Sequence, residues 1–223
     1  MGKEVREFNK EFVEEHHIKR NIAFRFMPIS GNEEELEELP HRVLGDIALY
    51  YVIIVERSLE GVGSCKVNND MMGVMELEEE GLFELALENT EKLFPVSIEP
   101  MDNLLIRKGL LPEDVREKHG LPEDAEVTSP LIIISNESSL FGAAAIMYRN
   151  VLRTIANNCK HNLYLLPSSV HEFLAMPAEE DIEIESLKSV VLDVNQNVLD
   201  AKDFLSNSIF YYDVNTAKLS SVG

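Results

Sequence analysis

Cysteine is scarce in this chain: Cys65 and Cys159 are its only two among 223 residues. Two thiols cannot build a disulfide framework, and a chain of this length has core enough to fold without one. Both facts fit a reducing compartment. Long apolar runs are missing as well. The longest, 47–55, covers nine residues, against the ~20 that a membrane-spanning helix requires. The N-terminal MGKEVREFNKEF is charged and has no apolar stretch of the secretory kind. The expected location is the cytoplasm, with no membrane partner.

Positive charge is also in short supply. Twenty basic residues face forty acidic ones, a formal net charge of −20. Such a field repels nucleic acid, whose binding depends on neutralising phosphates. It keeps a chain soluble and admits a protein partner with a basic surface. The glycine-rich phosphate loops of nucleotide-binding proteins are absent. So are the His-Glu-x-x-His and paired Cys-x-x-Cys spacings of metal sites. His16 and His17 are adjacent, and His41, Asp46, His161, His171 and Glu172 are ligand-competent types, but they are scattered. No cofactor and no metal ligand set is expected.

The chain is organised around 130–174. The run LIIIS, 131–135, lies between Pro130 and Asn136 and reads as a buried strand. A serine at 138 or 139 can cap a following helix over 140–155. Leu140, Ala144, Met147, Tyr148, Val151 and Ile155 share one side of it. NLYLL, 162–166, is the next strand, so the unit fits a βαβ crossover, right-handed if the strands are parallel neighbours. In the stretch PSSVHEFLAMP that follows, Ser169 and Glu172 have capping-box spacing, which predicts a short helix. Its start would lie beyond the end of a buried strand, where α/β sheets often place ligands.

Upstream, 1–20 is a charged lead-in, helical or loose. Ile22, Phe24 and Phe26 mark a half-buried strand, 33–39 an acidic helix, and 46–55 a central strand buried on both faces. Gly61 and Gly63 mark a hairpin. A short helical turn around 71–75 precedes a helix from about Glu80, whose Asn89 and Thr90 fall on the apolar side and need internal hydrogen bonds. A weaker strand spans 96–107. Residues 108–129, with LPED twice, read as a surface excursion. A helix from about Ser186 turns Leu187, Val190, Val191 and Val194 inward. Residues 208–213 form a last strand, and 214–223 a frayed tail. The expected fold is α+β or α/β, a mixed sheet covered by several helices, with one domain over 21–213.

PHRVLGDIALYY, ELALENTEKLFPV, FGAAAIMYRNVL and NLYLLPSSVHEFLAMP together resemble an uncharacterised family, a domain-of-unknown-function group of anaerobic Gram-positive bacteria. The resemblance covers about 40–213 and is most specific at LPSSVHE. It implies a bacterial protein and brings no activity with it.

Two functions are weighed. The first is a non-enzymatic interaction or regulatory domain that docks a basic partner on the acidic face of Glu80, Glu84, Glu88 and Glu91. The second is a small-molecule or anion-binding protein, or a hydrolase, using Ser168, Ser169, His171 and Glu172 with His41 or Asp46 brought near. Against catalysis, Ser169 and His171 stand two apart, there is no Gly-x-Ser-x-Gly elbow, and a capping Ser169 would not be free. No catalytic residue is assigned. Arg149 and Arg153 form a basic spot that is expected to pair with surface carboxylates.

Overall fold

The computed structural model describes residues 8–58, 61–103, 130–179 and 181–222. The apolar run beginning at Ile47 has no polar face to turn to water, and it becomes the spine of a first sheet. Strand β3 (Ile47–Ser58) is buried from Ile47 to Ile54. Strand β1 (Ile22–Pro28) lies antiparallel on one edge; β2 (His41–Leu44) and β4 (Gly61–Lys66) share the other. One face, with Phe24, Phe26, Leu49, Tyr51 and Ile53, joins the main core. The opposite face, with Ala23, Met27, Ala48, Tyr50 and Val52, packs on Leu36 and Leu39, at and just beyond the short helix α2 (Glu33–Glu37). Strand β1 is therefore buried on both faces rather than half-buried, and Arg25 is buried with it.

The second sheet holds β5 (Val96–Pro100), β6 (Ile132–Asn136), β7 (Leu163–Ser169), β8 (Glu172–Pro177), β9 (Phe210–Asp213) and β10 (Lys218–Ser221). Its order is β10-β9-β7-β8-β6-β5, antiparallel at every pairing. The fold is α+β. Phe173 of β8 stands edge-on to Phe26 of the first sheet and to Phe210, at 6.3 and 5.9 Å. This aromatic line joins the two sheets.

Of the remaining helices, α1 (Lys10–Glu15) is capped by Asn9, whose side-chain oxygen accepts from the Phe12 N–H. Helix α3 (Asn69–Val74) is capped in the same way by Asn68. Helix α4 (Glu79–Leu93) lays Leu82, Phe83 and Ala86 on β1. The polar pair on its buried side is tied in. The Asn89 amide donates to the carbonyls of Lys19 and Ile22, and the Thr90 hydroxyl donates to Ala86 O and accepts from Phe24 N–H.

Several expectations need correction. The two strands of the central unit share a sheet but are not neighbours, because β8 lies between β6 and β7. The helix expected over 140–155 is broken. A 3-10 segment, Gly142–Met147, leads into an extended Tyr148, a left-handed Asn150, and then α5 (Val151–Cys159). Polar ties hold the break. The Tyr148 hydroxyl donates to Phe94 O at 2.9 Å, and the Arg149 N–H donates to Glu91 Oε1 at 2.6 Å. Neither 138 nor 139 caps a helix: the Ser138 hydroxyl donates to Asn136 Oδ1.

The helix expected at SSVHE is instead the turn of the β7–β8 hairpin, in which Ser169 faces Glu172. The backbone there is satisfied by neighbours, not by helical bonds: Val170 N–H donates to Asp203 O, and Val170 O accepts from Ala143 N–H. Residues 214–222 of the tail do not fray. Asp213 Oδ1 accepts from the N–H of Asn215 and Thr216, closing a turn that brings β10 back onto β9. The strand expected over 96–107 ends at Pro100. The excursion at 108–129, with its repeated LPED, lies outside the described residues, as do residues 1–7 of the lead-in.

Candidate functional site

A peptide turn with polar side chains either holds itself together or offers its groups to a ligand. In the β7–β8 turn the polar groups are engaged within the protein, by one another and by neighbouring segments. Ser168 Oγ donates to Glu172 Oε1 at 3.2 Å, and Ser169 Oγ accepts the His171 N–H at 3.1 Å. Both ring nitrogens of His171 are engaged. Nδ1 accepts from Phe141 N–H at 3.0 Å, which leaves the ring proton on Nε2, 3.3 Å from Asp203 Oδ1. A nucleophilic serine needs an imidazole nitrogen as its base. Here neither nitrogen faces a hydroxyl, and Ser169 is bound to the backbone of His171 rather than to its ring.

The other two residues expected near this corner lie elsewhere in the fold. Asp46, in the β2–β3 turn, accepts from the Ser206 hydroxyl at 2.7 Å. His41 stands at the far end of β2, where its Nδ1 donates to Leu39 O at 2.8 Å. Four-residue β2 separates them by about 10 Å at roughly 3.3 Å per residue. Asp46 and His171 share only a neighbouring segment. Asp203 serves one, Ser206 serves the other, and Ser206 O also accepts from the Asn195 amide. Sequence reasoning missed Asp203, Ser206 and Phe141, because only the tertiary fold brings them to the turn.

The acidic face of α4 is largely occupied from within. Arg42 grips Glu79 through both carboxylate oxygens, at 2.7 and 2.9 Å, and reaches Glu80 at 2.6 Å. Its guanidinium also lies 3.8 Å over the Phe83 ring. The Tyr51 hydroxyl donates to Glu79. Burial penalises the Glu79 charge, but the bonds from Arg42 and Tyr51 outweigh it and hold the carboxyl below the usual range. Arg149 pairs with Glu91 and Glu84, and Lys92 with Glu88. Burial pushes up both thiols, Cys65 and Cys159, which leaves neither activated. Among the described residues no three His, Cys, Asp or Glu side chains are grouped to hold a metal ion. No described helix is long and apolar enough to cross a membrane.

Beside the β7–β8 turn the surface changes character. Helix α6 (Ile184–Asn197) lies over β7, and its inward stripe is wider than its contact. Of the four residues expected inward, Val191 is buried and Leu187 is half-buried, but Val190 is 62% exposed and Val194 37%. Val198, just past the helix, is 77% exposed. The uncovered flank forms one wall of a groove of about 290 Å³. Leu166 and Pro167 of β7 and Leu174 and Met176 of β8 form its floor, Pro130 and Leu131 one end, and Ser168 and Asn195 its few polar edges. The sequence signal was present in VVLDVNQNV: an aliphatic stripe that runs past the end of its own helix.

Two antiparallel sheets sharing one core, with an apolar groove on the outer side of the second that is left open among the described residues, define an α+β protein with no assembled catalytic set among those residues. The chain belongs to a family of unknown function, DUF5688, whose model matches residues 2–214. The match extends the resemblance read from residues 40–213 through most of the charged lead-in. No curated protein and no solved structure matches the chain.

Proposed function

We propose that this chain is a non-enzymatic binding domain, and that it docks a segment of another protein along the groove between α6 and the β7–β8 hairpin. One observation carries the reading. Val190, Val194 and Val198 are exposed on the same stripe that buries Val191, beside a concavity lined almost wholly by carbon. Exposed aliphatic surface that continues into a groove marks an interaction site more often than a bare surface. The groove's volume lies at or below the low end of small-ligand cavities, ~300–1,000 Å³. It suits a few side chains of a peptide better than a whole metabolite.

The acidic face of α4 is the weaker docking surface, since Arg42, Arg149 and Lys92 already neutralise it. The Ser168–Glu172 turn is the weaker ligand site, since its polar groups are taken up by one another and by Phe141 and Asp203. A cytoplasmic, bacterial setting completes the proposal.

A photo-crosslinker at position 190, 88 or 171 discriminates the readings in cells that make the protein. Trapping of one protein from position 190, but not from 88, is the expected result. Trapping from 88 alone returns the partner to the acidic helix. If His171→Ala abolishes a ligand-induced melting shift while Val190→Asn leaves it intact, the turn is the site and the groove reading fails.

A further inference from the structure

We infer that the occupant of the groove is an amphipathic helix with an aliphatic face and basic flanks. The inference rests on the docking reading above and names its partner. Two observations converge on it. The first is shape: one wall is itself a helix, and Val190 and Val194 stand four apart along it, with Val198 four residues further on, just past its end. That spacing is the ridge with which a second helix interdigitates, or against which i, i+3, i+4 and i+7 side chains anchor. The groove between helix and sheet takes apolar knobs rather than polar groups, because almost no polar atom lines it.

The second observation is charge. Between 179 and 200 the sequence carries seven carboxylates and one lysine. Asp181, Glu183, Glu185, Asp193 and Asp200 are exposed, and the lysine, Lys188, is already held by Glu185 at 3.2 Å. A groove walled by a helix whose exposed charged residues, Glu185 and Asp193, are acidic is complementary to a helix with leucine-like residues inward and lysine or arginine beside them. It also disfavours a second copy of this chain, which would bring the same carboxylates and the same net charge of −20 to the interface.

The test uses the full chain and two labelled 18-residue peptides, each with one leucine face; one has lysine and the other glutamate on its polar face. Fluorescence anisotropy at near-physiological salt gives the affinities. The expected result is that the Leu/Lys peptide binds at least about tenfold more tightly than the Leu/Glu peptide. Val190→Asn with Val194→Asn, which leaves charge unchanged, is expected to weaken Leu/Lys binding by about tenfold or more. Glu183→Lys with Glu185→Lys is expected to reverse the preference between the peptides. Both pairs are exposed, so a cooperative melting transition close to that of the wild type certifies the fold. Equal binding of the two peptides, lost together in the valine variant, overturns the basic requirement and leaves groove docking standing. Leu/Lys binding indifferent to the valine variant overturns both, since the field alone then attracts the peptide. A wild-type dimer in sedimentation that the valine variant converts to monomer makes the occupant a second copy and also overturns the inference.

Discussion

Gly142 is held at closer quarters than the other described glycines. A Cβ there would meet Ser135 Oγ at 2.3 Å, Asn136 N at 2.6 Å and His171 O at 2.6 Å. Two of the three are backbone atoms that cannot swing away. Gly142→Ala is therefore expected to destabilise the chain by about 1–3 kcal/mol, the ordinary range for forced overpacking. Urea unfolding checks it, and wild-type stability in the variant would show that β6 and the β7–β8 turn separate freely. The Arg42–Glu79–Tyr51 network gives a second residue-scale prediction. A carboxyl whose folded pKa is depressed stabilises the fold fully above its unfolded value, ~4.3, and loses that contribution as pH falls through the folded value. Arg42→Met removes the main compensating cation. Its deficit is expected to be about 1–2 kcal/mol near neutrality and to shrink below about pH 4, read from denaturation curves at stepped pH.

At the scale of elements, the groove wall and the C-terminal hairpin behave differently on substitution. Val190→Asn removes little buried surface, so it is expected to shift stability by less than about 0.5 kcal/mol, whereas Val194→Asn, at a residue 37% exposed, is expected to cost more. Gly45 adopts a left-handed φ of +61° in the β2–β3 turn, and a Cβ there would come within 2.9 Å of Ser221 Cβ. Gly45→Ala is expected to loosen β10 and raise amide exchange at Ser221 and Val222 before the rest of the sheet responds. The same scale shows what could be read in the sequence. Strands β1, β3, β6, β7 and β9 and the core of α4 were legible, because long apolar runs and period-3.6 stripes are local signals; α6 was legible as a helix, but of its four expected inward residues only Val191 is buried. The broken 140–155 helix was not legible, since its break is held by Phe94 and Glu91, distant in the chain. SSVHE satisfies a capping pattern and a hairpin equally. Only the partners of Val170, on Asp203 and Ala143, decide between them. Residues at the turn were legible as types, but their engagement was not. That Asp46 binds Ser206 while His171 binds Asp203 depends on a loop with no periodicity of its own.

Over the whole molecule the excess of negative charge acts against compactness. Screening shortens the reach of that repulsion from about 30 Å at 0.01 M salt to roughly 8 Å at 0.15 M. Melting temperature is therefore expected to rise as sodium chloride increases over this range, as self-repulsion weakens more than the exposed ion pairs do. A flat or falling profile would show that the paired carboxylates on α4 and α6 outweigh the net field.

Strand order has a consequence for translation. β8 pairs with both β6 and β7, yet it emerges from the ribosome after each of them. Until Pro177 has been made, Ile132–Asn136 lacks one neighbour and Leu163–Ser169 lacks both, since its other partner, Phe210–Asp213, comes later still. Unpaired apolar edges recruit other chains. A stalled or truncated product ending near residue 171 should therefore be more prone to aggregate than one ending at 177, and the remaining open edge of β7 should close only once β9 has been made.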